Sequence, residues 1–193
     1  MGSFLTRTYL CRYPGTVDGA ILSGTGQESA PLVAAGKALA SLIGRFRGSD
    51  YVSALVNNLS LGAYNKQFKP NRTTADWICR DEAVVDKYLR DPFCTFKPTA
   101  GMFRDMMGGL QYIADRNNLA RMDKETPVYF LSGDRDPVGA MGKGVEKVVR
   151  MFRKAGCRDV SVKLYPEGRH EMFNELNRDE VYADILDWLN SKI

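Results

Sequence analysis

A continuous apolar run, Val128-Tyr129-Phe130-Leu131, is followed by a helix-length segment from Gly142 to Gly156 and then by the alternating run Val160 to Tyr165. This succession constrains the chain more than any other feature. A strand that is apolar at every position has both faces buried, and a strand, helix, strand succession places the two strands parallel with a helix packed over them. Ala20-Ile21-Leu22, ending in Ser23-Gly24-Thr25-Gly26, reads as an earlier strand of the same kind. The spacing predicts helices over Phe4 to Tyr13, Leu32 to Phe46, Asp81 to Leu89 and Met102 to Asn117. A last helix starts at Asn177, where Asn177 and Glu180 have capping-box spacing, and carries Val181, Ile185, Trp188 and Leu189 on one face. Gly108-Gly109 would weaken the fourth helix unless something packs closely there, so a close neighbour is expected. The fold class is α/β: a parallel sheet covered by helices on both faces.

Composition removes several function classes. The chain of 193 residues is 44% hydrophobic and 26% charged, with no run approaching the roughly 18 apolar residues of a membrane span. No charged and apolar leader is visible at its start, so a cytoplasmic location is expected. The net charge of +4 is spread along the chain, which implies no nucleic acid. Cys11, Cys79, Cys94 and Cys157 form no C-x-x-C pair and have one histidine to share, so neither a metal site nor any other cofactor is expected, and they read as packing thiols. Gly24 to Ser29 falls one glycine short of a dinucleotide fingerprint, and Gly142-Lys143-Gly144 lacks the rest of a phosphate loop. Lys147, Arg150, Arg153 and Lys154 read as a solvated helical face.

In parallel sheets the chemistry sits in the loops after the carboxyl ends of the strands. The loop after Leu131 reads Ser132-Gly133-Asp134-Arg135-Asp136-Pro137-Val138, and the loop after Tyr165 holds His170, the single histidine of the chain. Alone, the first is explained as an Asp-Pro turn or a helix cap and the second as a structural histidine. Together, two successive strands end in an acid and a base, in the chain order acid then base that nucleophilic hydrolases use after their serine.

The residues Met1-Gly2-Ser3, Trp77-Ile78-Cys79-Arg80-Asp81-Glu82 to Asp91-Pro92-Phe93-Cys94, Gly133 to Gly139, and Tyr165 to Glu175 give the chain a resemblance to a known family. It resembles the C-terminal half of an α/β-hydrolase of the serine aminopeptidase and monoacylglycerol lipase/lysophospholipase group. The resemblance implies a partial α/β-hydrolase fold with a helical cap insertion, divided into core residues 1–30, cap residues 31–119 and core residues 120–193. It also implies that Asp136 is the triad acid, with Asp134 as runner-up, and that His170 is the general base. Met1-Gly2 matches the end of a G-x-S-x-G elbow, so the serine would precede Met1, and the backbone N–H of Met1 would be one oxyanion donor. Ser3 would lie within the helix rather than on the elbow.

Met102 and Met106, with Phe103 and Met107, would either line an acyl-chain tunnel or simply pack their helix. The implied activity is hydrolysis of a small lipid-like carboxylic ester, without metal or organic cofactor. The alternatives are a peptidase acting at a free N-terminus and a non-catalytic interaction module. The early strands would be missing, leaving an open sheet edge at Ala20 to Ser23 and a tendency to self-associate.

Overall fold

The computed structural model describes residues 1–192; Ile193, at the end of the expected 120–193 core segment, lies outside them. Three parallel strands form one sheet in the order β1 (Ala20–Ser23), β2 (Val128–Gly133), β3 (Val160–Tyr165). Ala20 lies opposite Val128 and Val128 opposite Val160, so the strands run in step and β2 and β3 end side by side at Gly133 and Tyr165. All six residues of the central strand are buried, as its unbroken apolar run requires.

Side chains alternate across that strand and divide the core in two. Val128 and Phe130 face a cluster that includes Leu10 and Cys11 of α1 (Gly2–Arg12) and Val145, Val148, Val149 and Phe152 of α8 (Lys143–Lys154). Phe130 and Phe152 meet edge to face at 5.1 Å, the arrangement that ring quadrupoles favour. Tyr129 and Leu131 face the opposite way, against Tyr165, Met172 and Val181 of α9 (Arg178–Asn190), with Tyr129 stacked on Trp188 at 5.7 Å.

Between β1 and β2 lie α2 (Ala30–Arg47), α3 (Ala54–Leu59), α4 (Leu61–Tyr64), a 3₁₀ turn at Asn65–Phe68, α5 (Glu82–Arg90), α6 (Ala100–Tyr112) and α7 (Arg116–Ala120), with no strand among the described residues. α6 packs on α2 at Gly36 and on the turn after α2 at Gly101. A Cβ on Gly36 would lie 3.4 Å from the Met107 sulfur, and one on Gly101 would lie 3.1 Å from the Ser49 carbonyl oxygen.

The structure departs from the sequence expectations in four places. Gly108 and Gly109 have no tight neighbour: a Cβ on the first would meet only the tip of Lys37 at 3.6 Å, and on the second nothing within 4 Å. The helix expected to reach Asn117 stops at Tyr112, because Asp115 accepts hydrogen bonds from the N–H groups of Asn117 (2.9 Å) and Asn118 (3.1 Å) and starts a new helix there. The capping box at Asn177 does not form, since its side-chain oxygen is taken by Arg80 (2.9 Å) and its amide donates to the Glu180 carboxylate (2.9 Å). Leu189, expected on the buried face of α9, is 42% exposed.

All four cysteines are free thiols, three of them buried. Arg7 on α1 is fully buried, donates to Gly26 O (2.8 Å), Gln27 Oε1 (2.9 Å) and Ile113 O (3.4 Å), and has its pKa pulled down to about 10 by that burial. It ties the first helix to the loop after β1 and to the end of α6.

The two loops after β2 and β3 touch at backbone distance. A Cβ added at Gly133 would fall 1.9 Å from Gly168 O and 2.5 Å from Arg169 O, neither of which can turn aside as a flexible side chain could. Gly133→Ala is therefore expected to destabilise the fold by about 3 kcal/mol. Urea denaturation measures this, and a loss below about 0.5 kcal/mol would show that the loops are not in fixed contact.

Candidate active site

Because β2 and β3 end in register, the residues that follow them share one end of the sheet. Asp134 N donates to Tyr165 O (3.0 Å), Arg135 N donates to Gly168 O (2.9 Å), and the Asp134 carboxylate accepts from Glu167 N (2.8 Å). Asp134, the runner-up acid, thus fastens one loop to the other and does not meet the imidazole. Asp136 does: its Oδ2 lies 3.0 Å from His170 Nδ1.

The Asp136 carboxylate is fully buried, and each of its oxygens has a protein donor. Val138 N donates to Oδ1 (2.9 Å), and Ser132 Oγ donates to Oδ2 (3.2 Å), the oxygen that faces the ring. Pro137, Val138 and the turn beyond them set this geometry: Asp136 O accepts from Met141 N (2.9 Å), and Ala140 and Met141 take φ of +49° and +55°. Two successive side-chain-bearing residues in the left-handed region cost on the order of 1 kcal/mol each, strain that the surrounding loop holds in place.

The imidazole stands in a slot. A Cβ on Gly24, which has φ +60°, would lie 2.8 Å from His170 Cε1 and 2.9 Å from Nδ1, so only glycine leaves room on that side. The Trp77 ring lies 5.3 Å away, and Tyr64 packs on Trp77 at 5.2 Å. Burial pushes the Tyr64 phenol up to about 12, with the negative charges of Glu28 and Asp136 acting in the same direction. The amino group of Met1 also lies within reach of the Asp136 charge; burial lowers its pKa and Asp136 opposes the shift.

A carboxylate oxygen accepting at Nδ1 selects the tautomer with its proton on Nδ1 and leaves the Nε2 lone pair free to accept one. Nε2 has no protein hydrogen-bond partner among the described residues. Such an arrangement can act chemically as a general base with its orienting acid.

Of the other residues singled out from the sequence, Met102 and Met106 are half-buried on α6. Met106 packs against the cluster of Ala40, Val56 and Phe103, and neither methionine is brought to the imidazole by any hydrogen bond. Ser3 sits inside α1. The sequence reading assigned no site role to Ser132, Gly24, Trp77 or Tyr64. Gly24 carried a signal, lying in the loop after a buried strand, whereas Trp77 and Tyr64 fall in the irregular stretch where periodicity says nothing. Among the described residues no three His, Cys, Asp or Glu side chains gather as they would around a metal ion, and no helix is long and apolar enough to cross a membrane.

A parallel sheet with helices on both faces and an acid-histidine pair on successive strand ends defines the α/β-hydrolase class. Within it the sequence profile described as serine aminopeptidase, S33, matches residues 1–177, and the chain belongs to that family. It is 29% identical over 202 residues to a monoacylglycerol lipase of Mycolicibacterium smegmatis, covering all of this chain and 60% of that protein. Its structure is similar to that of a thermostable carboxyl esterase from Bacillus coagulans, with a TM-score of 0.88, 26% identity, and coverage of 98% of this chain and 61% of that one. The fold is also that of a monoglyceride lipase variant from Saccharomyces cerevisiae, with a TM-score of 0.69, 22% identity, and coverage of 99% of this chain and 62% of that one. The chain thus spans about three fifths of the length of these relatives.

Proposed function

We propose that the chain carries the acid and general base of a serine hydrolase acting on small lipid-like carboxylic esters such as monoacylglycerols or lysophospholipids. The observation that carries this reading is the 3.0 Å bond between buried Asp136 and His170 Nδ1, which leaves Nε2 without a protein partner among the described residues. The nucleophile would be a serine on the elbow ahead of Met1. His170 Nε2 would take its hydroxyl proton as the oxygen attacks the ester carbonyl carbon, and the imidazolium would be stabilised by Asp136. The proton would then pass to the departing alcohol oxygen, leaving an acyl-enzyme. A water molecule, deprotonated in turn by Nε2, would release the acid and restore the serine.

Met1 N–H, once in a peptide bond, would be one donor to the tetrahedral oxyanion. In this reading residues 31–119 form a cap over the core segments 1–30 and 120–193, and Met102 and Met106 face the acyl chain. The same machinery cleaves amides, and the family's description as a serine aminopeptidase favours that as the second reading.

A fluorophosphonate probe followed by peptide mapping tests the proposal. The 193-residue chain alone is expected to stay unlabelled. Joined to an upstream segment bearing the elbow serine, it should label at that serine, and His170→Ala should abolish the labelling. Labelling of Ser3, or labelling indifferent to His170→Ala, would overturn it.

A further inference from the structure

The part of the inter-strand helical region that reaches the imidazole is an irregular strip, Asp76 to Arg80, bonded along its length to the loop that carries His170. The Arg169 guanidinium donates to Asp76 O and to Cys79 O (3.1 Å), and Glu171 N donates to Ile78 O (2.8 Å). The residues on both sides of His170 are therefore tied to the strip. Further along, the Cys79 thiol donates to Asn174 O (3.0 Å), and Arg80 donates to the fully buried Glu175 carboxylate through N (3.1 Å) and Nε (2.7 Å). Glu175 Oε1 also accepts from Arg169 N (2.8 Å), closing the latch beside the histidine.

Trp77 is the side chain this strip holds against the ring, at 5.3 Å and 43°. The backbone N–H of Trp77 donates to Asn65 Oδ1 (3.1 Å), and Tyr64 backs the indole. An imidazole held by one hydrogen bond to Asp136 can still pivot about that bond. The Gly24 backbone and the indole both crowd the ring and restrict that pivot, of which catalytic geometry tolerates only about 10–20°.

We propose that Trp77 is a positioning residue for His170: the latch fixes the indole, and the indole keeps the imidazole with Nδ1 on Asp136 and Nε2 free. The inference rests on the acid-base reading of that pair and adds that the region between β1 and β2 sets the base through this one ring. It also makes a movement of the strip a movement of the base.

His170 is the single histidine, so the ¹⁵N-histidine-labelled chain gives one imidazole signal set. The wild type should show the Nδ1–H tautomer and a proton shift displaced by the indole ring current. Trp77→Ala should lower the tautomer ratio by about fivefold, the scale of one weakened hydrogen bond, and remove the displacement. Trp77→Phe should restore both in large part. Trp77→Leu keeps apolar volume within the Ile78 and Val85 cluster without a flat face, and should behave as Trp77→Ala even where alanine fails to fold.

If Trp77→Leu keeps the wild-type ratio, the indole only packs, and the proposal is wrong. Asp136→Asn separates the two readings. Should it leave the tautomer unchanged, the acid-base reading itself fails; should it switch the tautomer while Trp77→Ala and Trp77→Leu do not, only the role of Trp77 falls.

Discussion

Asp136→Asn is expected to lower turnover about 10⁴-fold in the polypeptide that carries this pair together with its nucleophile, while leaving the fold intact. The carboxylate accepts from Val138 N and Ser132 Oγ and faces His170 Nδ1. An asparagine of the same shape can keep its carbonyl oxygen on Val138 N. Its amide nitrogen then lies where Oδ2 was, and Ser132 Oγ can turn to accept from it. The imidazole can do so only by giving up the proton on Nδ1. That moves the proton to Nε2, which can no longer take one from a serine. The substitution is thus a near-isosteric change with a chemical consequence, measured as kcat on a monoacylglycerol beside a thermal melt. Asp134→Asn disturbs only the fastening to Glu167 N and is expected to cost far less. Retention of more than about a tenth of wild-type turnover by Asp136→Asn would exclude Asp136 as the orienting acid.

That the loops carrying Asp136 and His170 would meet was legible in the sequence, because both follow strands whose composition announces them. Val128 to Leu131 has no polar position, so the strand is central, and whatever follows it must emerge at the end of the sheet where ligands meet it. Which of the two aspartates faces the histidine was not decided by spacing. The register decides it: with Gly133 opposite Tyr165, Asp134 is drawn across to Glu167, and Asp136 lies two residues further on, beyond the fastening.

The rest of the site was hidden for physical reasons. Trp77 and Tyr64 belong to a stretch interrupted by prolines, where no periodicity links a residue to a face. Arg80 and Glu175 are 95 residues apart, and nothing local distinguishes them from the other charged residues of the chain. The paired glycines at 108 and 109 looked like a packing signal yet have no tight neighbour, whereas the single glycines Gly36 and Gly101 make the close approaches of α6 to α2 and to Ser49 beyond its end. Glycine marks a close approach only where an opposing backbone or side chain is known, and that knowledge is tertiary.

Arg80→Ala is expected to cost about 3–5 kcal/mol of stability, an effect far larger than its position on an irregular strip suggests. Its partner Glu175 is 0% exposed, and Arg80 itself is a quarter exposed, so the pair sits at the boundary of the interior with the acid wholly inside. Removing the cation leaves a buried carboxylate with the N–H donors of Arg80 (3.1 Å), Arg169 (2.8 Å) and Leu176 (3.1 Å), and no counter-charge. Those donors hold the loss toward the lower end of the range without cancelling it. Glu175→Gln removes the buried charge and lets Arg80 turn to solvent, so it should cost less than Arg80→Ala even though it breaks the same ion pair. With a urea dependence of about 2 kcal/mol per molar, the Arg80→Ala midpoint should fall by roughly 1.5–2.5 M at unchanged slope. Amide exchange at Glu171, whose N–H is bonded to Ile78 O, should quicken in the same variant because the strip is freed at one end. A stability change within about 0.5 kcal/mol of wild type would place the pair among ordinary surface ion pairs and remove the latch from the account of how His170 is held.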